Sequence, residues 1–272
     1  MSLRRCLVVG SPIRHSRSPL IHRLFAEQFG LPLSYERREV LPGTLPAALA
    51  EFRETGVLGI NVTVPLKEEA WSLAVWREPR CEHAGAANTL WFTPEGELAA
   101  DNTDGVGLVR DLRALGVTLG GKRVLVLGAG GAARGIVPSL LEAGPTELVL
   151  ANRSLEKAQA LSARFAIKAV PLDECFEKPF DLVLNSTSAG LGGSAAPAVS
   201  ASAVGARTFC YDLVYAREAT PFLRWAEALG VGSRADGLGM LVEQAAAAFE
   251  RWHGRQPETR QVLARLRDQA WG

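Results

Sequence analysis

Cysteine is scarce in this chain of 272 residues: Cys6, Cys81, Cys175 and Cys210 lie far apart, and no two form a C-x-x-C pair. That spacing argues against a disulfide framework and predicts reduced thiols in packed positions. The four histidines show no metal-ligand spacing either, so no metal is expected. Charge of one sign is missing too, because acidic and basic residues are interspersed and the formal net charge is +1, which gives no reason to expect a nucleic acid or membrane partner. Long apolar runs are absent: the stretch after Arg5 stops at Gly10, too short for a secretory or transmembrane segment. A cytoplasmic protein is expected.

What is there suits a large core. A hydrophobic fraction of 47% over this length supports one or two domains, and the pattern favours two. Cys6 to Val9 reads as a strand, and Leu20, Ile21, Leu24 and Phe25 recur at helical spacing after Pro19. A helix around Leu45, Leu49 and Phe52 precedes a strand over 57 to 64, which together suggest parallel βαβ geometry. Asn88 to Phe92 and the stretch after Gly96 read as a hairpin returning at Asp101. The alternation then restarts with the apolar strands 124–127, 148–150, 182–184 and 209–211. Beyond Asp236 the chain turns helical, with Met240, Leu241, Ala245 and Phe249 on one stripe, then Val262, Leu263 and Leu266 in a last helix. The Ala/Gly/Ser-rich stretch from 190 to 203 reads as a loop.

Two segments carry chemistry. In Asn61-Val62-Thr63-Val64-Pro65-Leu66-Lys67, strand alternation puts Asn61 and Thr63 on one face and both valines on the other, and Pro65 suits the start of a helix bearing Lys67. In Asp101-Asn102-Thr103-Asp104-Gly105 the polar residues are natural caps for the helix that follows, while Asp104 could also pair with Lys67 to exchange protons with a substrate. Spacing alone does not establish that contact. Ser16 and Ser18 could direct two hydroxyls at a carboxylate, whereas His15 and His22 read as structural supports. A third segment, Gly128-Ala129-Gly130-Gly131-Ala132-Ala133, fits G-x-G-x-x-A directly after a strand, the arrangement in which backbone amides and a helix N-terminus approach a pyrophosphate. Where an NAD site would carry an acid, this chain has Asn152-Arg153-Ser154, with Lys157 a helical turn on, and a guanidinium suits a 2′-phosphate, hence NADP.

Those motifs, with G-S-P-I-R-H-S-R-S-P-L-I-H at 10 to 22, A-A-N-T-L at 86 to 90, N-S-T-S-A-G at 185 to 190, Y-D-L-V-Y at 211 to 215 and D-G-L-G-M-L-V-E-Q-A at 236 to 245, resemble the shikimate dehydrogenase family over nearly the whole chain. The resemblance implies an α/β fold of two domains. A substrate domain would comprise 1–101 completed by 237–272, and a Rossmann-type doubly wound NADP domain would comprise 102–236. It implies reversible, NADPH-dependent reduction of 3-dehydroshikimate to shikimate, with Lys67 and Asp104 catalytic. Ser16, Ser18, Asn61, Thr63, Asn88, Tyr215 and Gln244 would complete the substrate site, and Thr187, Leu213, Gly237 and Met240 would join the glycine-rich turn and Arg153 around the cofactor. Arg23 departs from the asparagine common in the family. Broader action on quinate and a non-catalytic shikimate-binding role are the alternatives, and a homodimer is left open.

Overall fold

The computed structural model describes residues 3–187 and 196–268. It divides into two compact units: the chain up to Gly107 together with residues from Leu241 onward, and Leu108–Met240.

In the first unit, β1 (Arg4–Gly10) lies between β2 (Leu33–Glu39) and β3 (Gly59–Val62), and both neighbours run parallel to it. α1 (Ser18–Gln28) and α2 (Leu45–Glu54) are the crossovers. The chain continues through α3 (Lys67–Leu73), β4 (Trp76–Arg77) and α4 (Pro79–Ala84) into the antiparallel hairpin β5 (Thr89–Phe92) and β6 (Leu98–Asp101), then α5 (Asp104–Ala114). The sheet order is β2-β1-β3-β5-β6-β4. Leu7, Val9, Ile60 and Val62 bury one face of it against Leu45, Leu49, Phe52 and Ala70. The opposite face carries Cys6, packed on Ala248 and Trp252.

Three expectations change here. The strand predicted over 57 to 64 is confined to Gly59–Val62, and Val64, beyond its end, is 64% exposed. The Thr63 amide makes one more sheet-like bond, to the Val9 carbonyl at 2.9 Å, and Pro65, which has no amide to donate, cannot extend the ladder. β2 was not anticipated, because an edge strand with four exposed outer residues shows no apolar alternation. Cys6, Cys81 and Cys210 are buried as expected, but Cys175 is exposed.

The second unit holds β7 (Arg123–Leu127), α6 (Gly131–Glu142), β8 (Glu147–Asn152), α7 (Leu155–Phe165), β9 (Lys168–Pro171), β10 (Leu182–Asn185), β11 (Phe209–Asp212), α8 (Pro221–Ala228) and β12 (Ser233–Asp236). The order is β12-β11-β10-β7-β8-β9 and every pairing is parallel. This is a doubly wound sheet whose strand order reverses between β7 and β10, the place where such sheets open a ligand crevice. Residues 188–195, which include the end of the N-S-T-S-A-G motif and part of the expected 190–203 loop, lie outside the described residues; Ala201–Ala203 form a 3-10 turn.

The boundaries between the units fall inside two helices, α5 and α9 (Leu238–His253), and α10 (Thr259–Asp268) belongs to the first unit. α9 is not the one-striped helix expected: Gln244 to Phe249 are all buried. Phe249 packs against His22, Phe25 and Phe29 of the α1 region, Trp252 covers Gly59, and Gln244 abuts Gly107, so neighbours enclose most of its circumference. Among the described residues no helix is long and apolar enough to cross a membrane.

Candidate active site

Lys67 is the first residue of α3, and its Nζ lies 2.5 Å from Oδ2 of Asp104, the first residue of α5. The two side chains keep only 14% and 8% of their surface exposed. Low exposure strengthens the Coulomb attraction and makes the loss of either partner costly. The segment around Asp104 is held by a relay of short bonds. Asn102 Oδ1 accepts from the Asp104 amide at 3.1 Å, and Asn102 Nδ2 donates to the Ala86 carbonyl at 2.8 Å. Asp101 accepts from the Asn102 amide at 2.7 Å, and its fully buried carboxylate takes a two-pronged guanidinium contact from Arg80 at 2.7 and 2.5 Å. Of the predicted caps, Asn102 bonds the first turn of α5, while Asp101 instead pairs with Arg80, a residue that no sequence signal singled out.

Asn88 is the hub. Its Nδ2 faces Asp104 Oδ1 at 2.8 Å, Thr103 Oγ1 at 3.0 Å and Gln244 Oε1 at 3.2 Å, while its Oδ1 accepts from the Thr103 amide at 2.9 Å and Thr89 Oγ1 at 2.8 Å. Three acceptors compete for two amide hydrogens, so the donor capacity of Asn88 is taken up inside the cluster. Gln244 approaches because residue 107 is glycine: a Cβ there would stand 2.7 Å from both the Gln244 nitrogen and its Cβ. Asn61 joins from β3, donating through Nδ2 to the Asn88 carbonyl at 3.1 Å. Thr63 lies just beyond β3, where Gly10 makes room for it; a Cβ on Gly10 would meet Thr63 Cγ2 at 2.5 Å. Ser16 and Ser18 stand at the start of α1 with their hydroxyls 3.3 Å apart. Lys67, Asp104, Asn88, Asn61, Thr63, Gln244 and the two serines thus all belong to the first unit, and Tyr215 belongs to the second.

The two histidines of the 10–22 segment differ in environment. His15 is exposed, whereas His22 is fully buried and stacked on Tyr35 at 4.2 Å, and neither of its ring nitrogens makes a hydrogen bond of good geometry. Burial, reinforced by nearby His253, pushes its pKa down to about 3, so the ring stays neutral. Arg23 sits on the exposed face of α1 beside Glu27, clear of the serine loop.

In the second unit, Gly128 follows β7 with φ +109, and a Cβ on it would lie 2.8 Å from Ser186 Oγ and 3.1 Å from Thr187 Cγ2. Gly130 and Gly131 have open space where side chains would be, and Gly130 caps α6 with no side-chain bond to the first-turn amides. Ala129 and Ala133 are buried against the sheet, and Ala132 completes the turn beside them. Asn152 ends β8 and bonds the Ser154 carbonyl at 2.9 Å, and Ser154 precedes α7. Arg153 and Lys157 are exposed, and among the described residues neither makes an ion pair. These features fit a dinucleotide: glycines without obstruction, free amides at a helix start, and two uncommitted cations one strand away. Thr187 is fixed through Asn185, whose Oδ1 accepts from its amide and hydroxyl at 3.1 and 2.7 Å. Asp212 in turn accepts from Asn185 Nδ2 at 3.0 Å, Thr220 Oγ1 at 2.5 Å and the Val214 amide at 3.1 Å. Burial raises the Asp212 pKa to about 6 despite those bonds. Leu213 and Gly237 touch so closely that a Cβ on Gly237 would stand 2.1 Å from the Leu213 oxygen. The Met240 amide lies 3.3 Å from the Tyr211 hydroxyl, which donates to Asp111 at 2.6 Å.

A doubly wound unit with a glycine turn at its switch point, joined in one chain to an α/β unit bearing a lysine–carboxylate pair, defines the class as a pyridine-nucleotide dehydrogenase fold. Comparison with known proteins narrows it. Residues 8–90 match the shikimate dehydrogenase substrate binding domain, 112–205 the shikimate / quinate 5-dehydrogenase domain, and 237–267 the shikimate 5'-dehydrogenase C-terminal domain. The shikimate dehydrogenase (NADP(+)) of Alkalilimnicola ehrlichii is 51% identical over 97% of this chain and 98% of its own. That of Methylobacillus flagellatus is 48% identical over 97% and 98%. The crystal structure of shikimate 5-dehydrogenase from Thermus thermophilus in complex with NADP(H) and shikimate superposes with a TM-score of 0.88 at 38% identity, covering 97% of this chain and all of that one. The chain belongs to the shikimate dehydrogenase family.

Proposed function

We propose that this chain catalyses the reversible NADPH-dependent reduction of 3-dehydroshikimate to shikimate, as a cytoplasmic enzyme acting on a small molecule. The observation that carries the reading is the Lys67–Asp104 contact of 2.5 Å inside a wall of amides and hydroxyls. Such a wall suits a polyhydroxylated ring, since amides offer both donor and acceptor to adjacent hydroxyls. The cofactor supplies the hydride. Lys67 Nζ gives a proton to the carbonyl oxygen as that oxygen gains negative charge, and takes it back in the direction of oxidation. Asp104 Oδ2 holds Nζ, while Oδ1 is tied to Asn88, so the carboxylate keeps its orientation. Ser16 and Ser18 receive the substrate carboxylate; Asn61, Thr63, Asn88, Gln244 and Tyr215 complete the substrate set. The turn from Gly128 to Ala133 would take the pyrophosphate of the cofactor. Arg153, with Asn152, Ser154 and Lys157, would hold its 2′-phosphate, Gly237 and Met240 would lie near its nicotinamide, and Thr187 and Leu213 would complete the cofactor set.

NADPH oxidation with 3-dehydroshikimate tests the reaction, and repeating it with NADH tests the cofactor. Turnover is expected with NADPH and much less with NADH. Arg153→Ala should weaken NADPH about tenfold or more relative to NADH, because a charge-assisted phosphate contact is worth roughly 1.5–3 kcal/mol. Equal losses for both cofactors would remove Arg153 from the phosphate site; no turnover with either would overturn the function.

A further inference from the structure

Tyr35 was not among the residues singled out by the sequence, yet it is bonded directly to one of them. It sits on β2, in register with Cys6 of β1, and Gly59 of β3 pairs the same cysteine from the other side. Tyr35 and Asn61 therefore project from the same face of the sheet, two strands apart. The Tyr35 hydroxyl lies 2.6 Å from Asn61 Oδ1, and Ser18 is a side-chain hydrogen-bonding neighbour of the same hydroxyl. The ring is held by its stack on His22, which in turn stacks on Trp252 at 5.5 Å.

The orientation of the Asn61 amide follows from its partners. The Asn88 backbone carbonyl can only accept, so the end of Asn61 that faces it at 3.1 Å must be nitrogen. Its second amide hydrogen points to Thr89 Oγ1 at 3.3 Å. Oδ1 therefore faces Tyr35, and a carbonyl oxygen can only accept, so the phenol donates. Both donors of Asn61 are spent within the protein and one lone pair is taken by Tyr35. His22 is a further side-chain neighbour of Asn61 but makes no bond of good geometry to it, so a single acceptor site remains for a ligand.

We propose that Tyr35 is a positioning residue of the substrate site: its hydroxyl locks the Asn61 amide so that Asn61 accepts from, and never donates to, a substrate hydroxyl. The inference rests on the reading that shikimate is bound against Asn61. Without the phenol, Oδ1 gains a free lone pair and the amide loses its restraint on that side, and binding of a hydroxyl there loses its preorganised geometry. The effect belongs to substrate binding, since the partners of the Tyr35 hydroxyl are Asn61 and Ser18 and neither member of the Lys67–Asp104 pair is among them.

The test measures shikimate Kd by equilibrium dialysis, together with kcat and both KM values, on the full chain. The proteins compared are unmodified, Tyr35→Phe, Asn61→Ala and the double variant, with melting temperatures recorded for each. Tyr35→Phe should raise the Kd and KM for shikimate by several-fold to roughly tenfold, the effect of losing the preorganisation of one contact, leaving kcat and the KM for NADP within about twofold. On the Asn61→Ala background the same change should add almost nothing, because the phenol acts through that amide. An unchanged shikimate Kd in Tyr35→Phe, or full additivity in the double variant, overturns the positioning role while leaving the functional reading intact. Failure of the unmodified protein to bind shikimate at all overturns the functional reading and this inference with it.

Discussion

Of the lysine–carboxylate pair, the carboxylate residue carries further attachments, and that makes the two roles separable. Lys67 has Asp104 as its close partner, whereas Asp104 is also bound by Asn88 and, through its amide, by Asn102. Removing the lysine leaves the carboxylate anchored; removing the carboxylate frees Asn88 and so disturbs the Gln244 contact as well. If Lys67 transfers the proton, Lys67→Ala should lower kcat by roughly 10² to 10⁴ with a much smaller change in KM. Asp104→Ala should lower kcat and also raise the KM for shikimate. Groups that serve one proton transfer are not additive, so the double variant should lose far less than the product of the single losses. Steady-state kinetics on the three variants decides the matter. A Lys67→Ala protein with near-normal kcat and a raised KM would reduce the lysine to a binding contact.

Between elements, aromatic and glycine contacts make several of the joints, beside ion pairs such as Lys67–Asp104 and Arg80–Asp101. His22 on α1 is stacked with Tyr35 of β2 and Trp252 of α9, so one neutral imidazole ties three elements together. Its depressed pKa has a sign: the unfolded chain binds a proton near pH 6.5 while the folded chain does not until about pH 3. The stability it contributes is therefore present above pH 6.5 and is lost as the pH falls through that window. Between pH 7 and pH 5 the loss from this group is about 2 kcal/mol. His253, pushed to about 4 by burial, acts in the same direction, while Asp212, raised to about 6, gains stability on acidification and opposes both. His22→Phe keeps a stacked ring and removes the titration, so its urea midpoint should fall less between pH 7 and pH 5 than that of the unmodified protein. An identical pH dependence in the two proteins would contradict a buried neutral His22.

At the scale of the whole molecule, two units with separate cores carry separate sets of candidate residues. The substrate set other than Tyr215 belongs to the unit built from the first 107 residues and the chain beyond 240, and the glycine turn with Arg153 belongs to Leu108–Met240. A ligand that binds one folded unit raises the cost of opening that unit in particular. Hydrogen exchange should therefore show added protection in β3, β5 and the start of α3 and α5 with shikimate alone. With NADP alone it should show protection at the start of α6 and the ends of β7 and β8. Protection of the β7–α6 turn by shikimate alone would contradict this allocation.

The sequence by itself determined the elements with strong periodicity or punctuation: the buried strands 124–127, 148–150 and 182–184, the glycine turn that follows the first of them, the hairpin around Gly96, and Lys67 at a helix start. In each, the signal is local, because apolar runs, glycine and proline act on their own backbone whatever packs around them. The family motifs named the candidate residues as well, by their order along the chain. Tertiary structure alone decided the rest. β2 exists because β1 pairs with it, although its own residues are polar and mostly exposed. The burial of α9 on most sides depends on α1, β3 and Gly107, none of which its own pattern reveals. Arg80 beneath Asp101, Tyr35 against Asn61 and Asp212 beneath Asn185 join residues 21, 26 and 27 positions apart. Hydrogen-bond partners at such separations are set by strand register and helix docking, and neither is written in the spacing of the residues that meet.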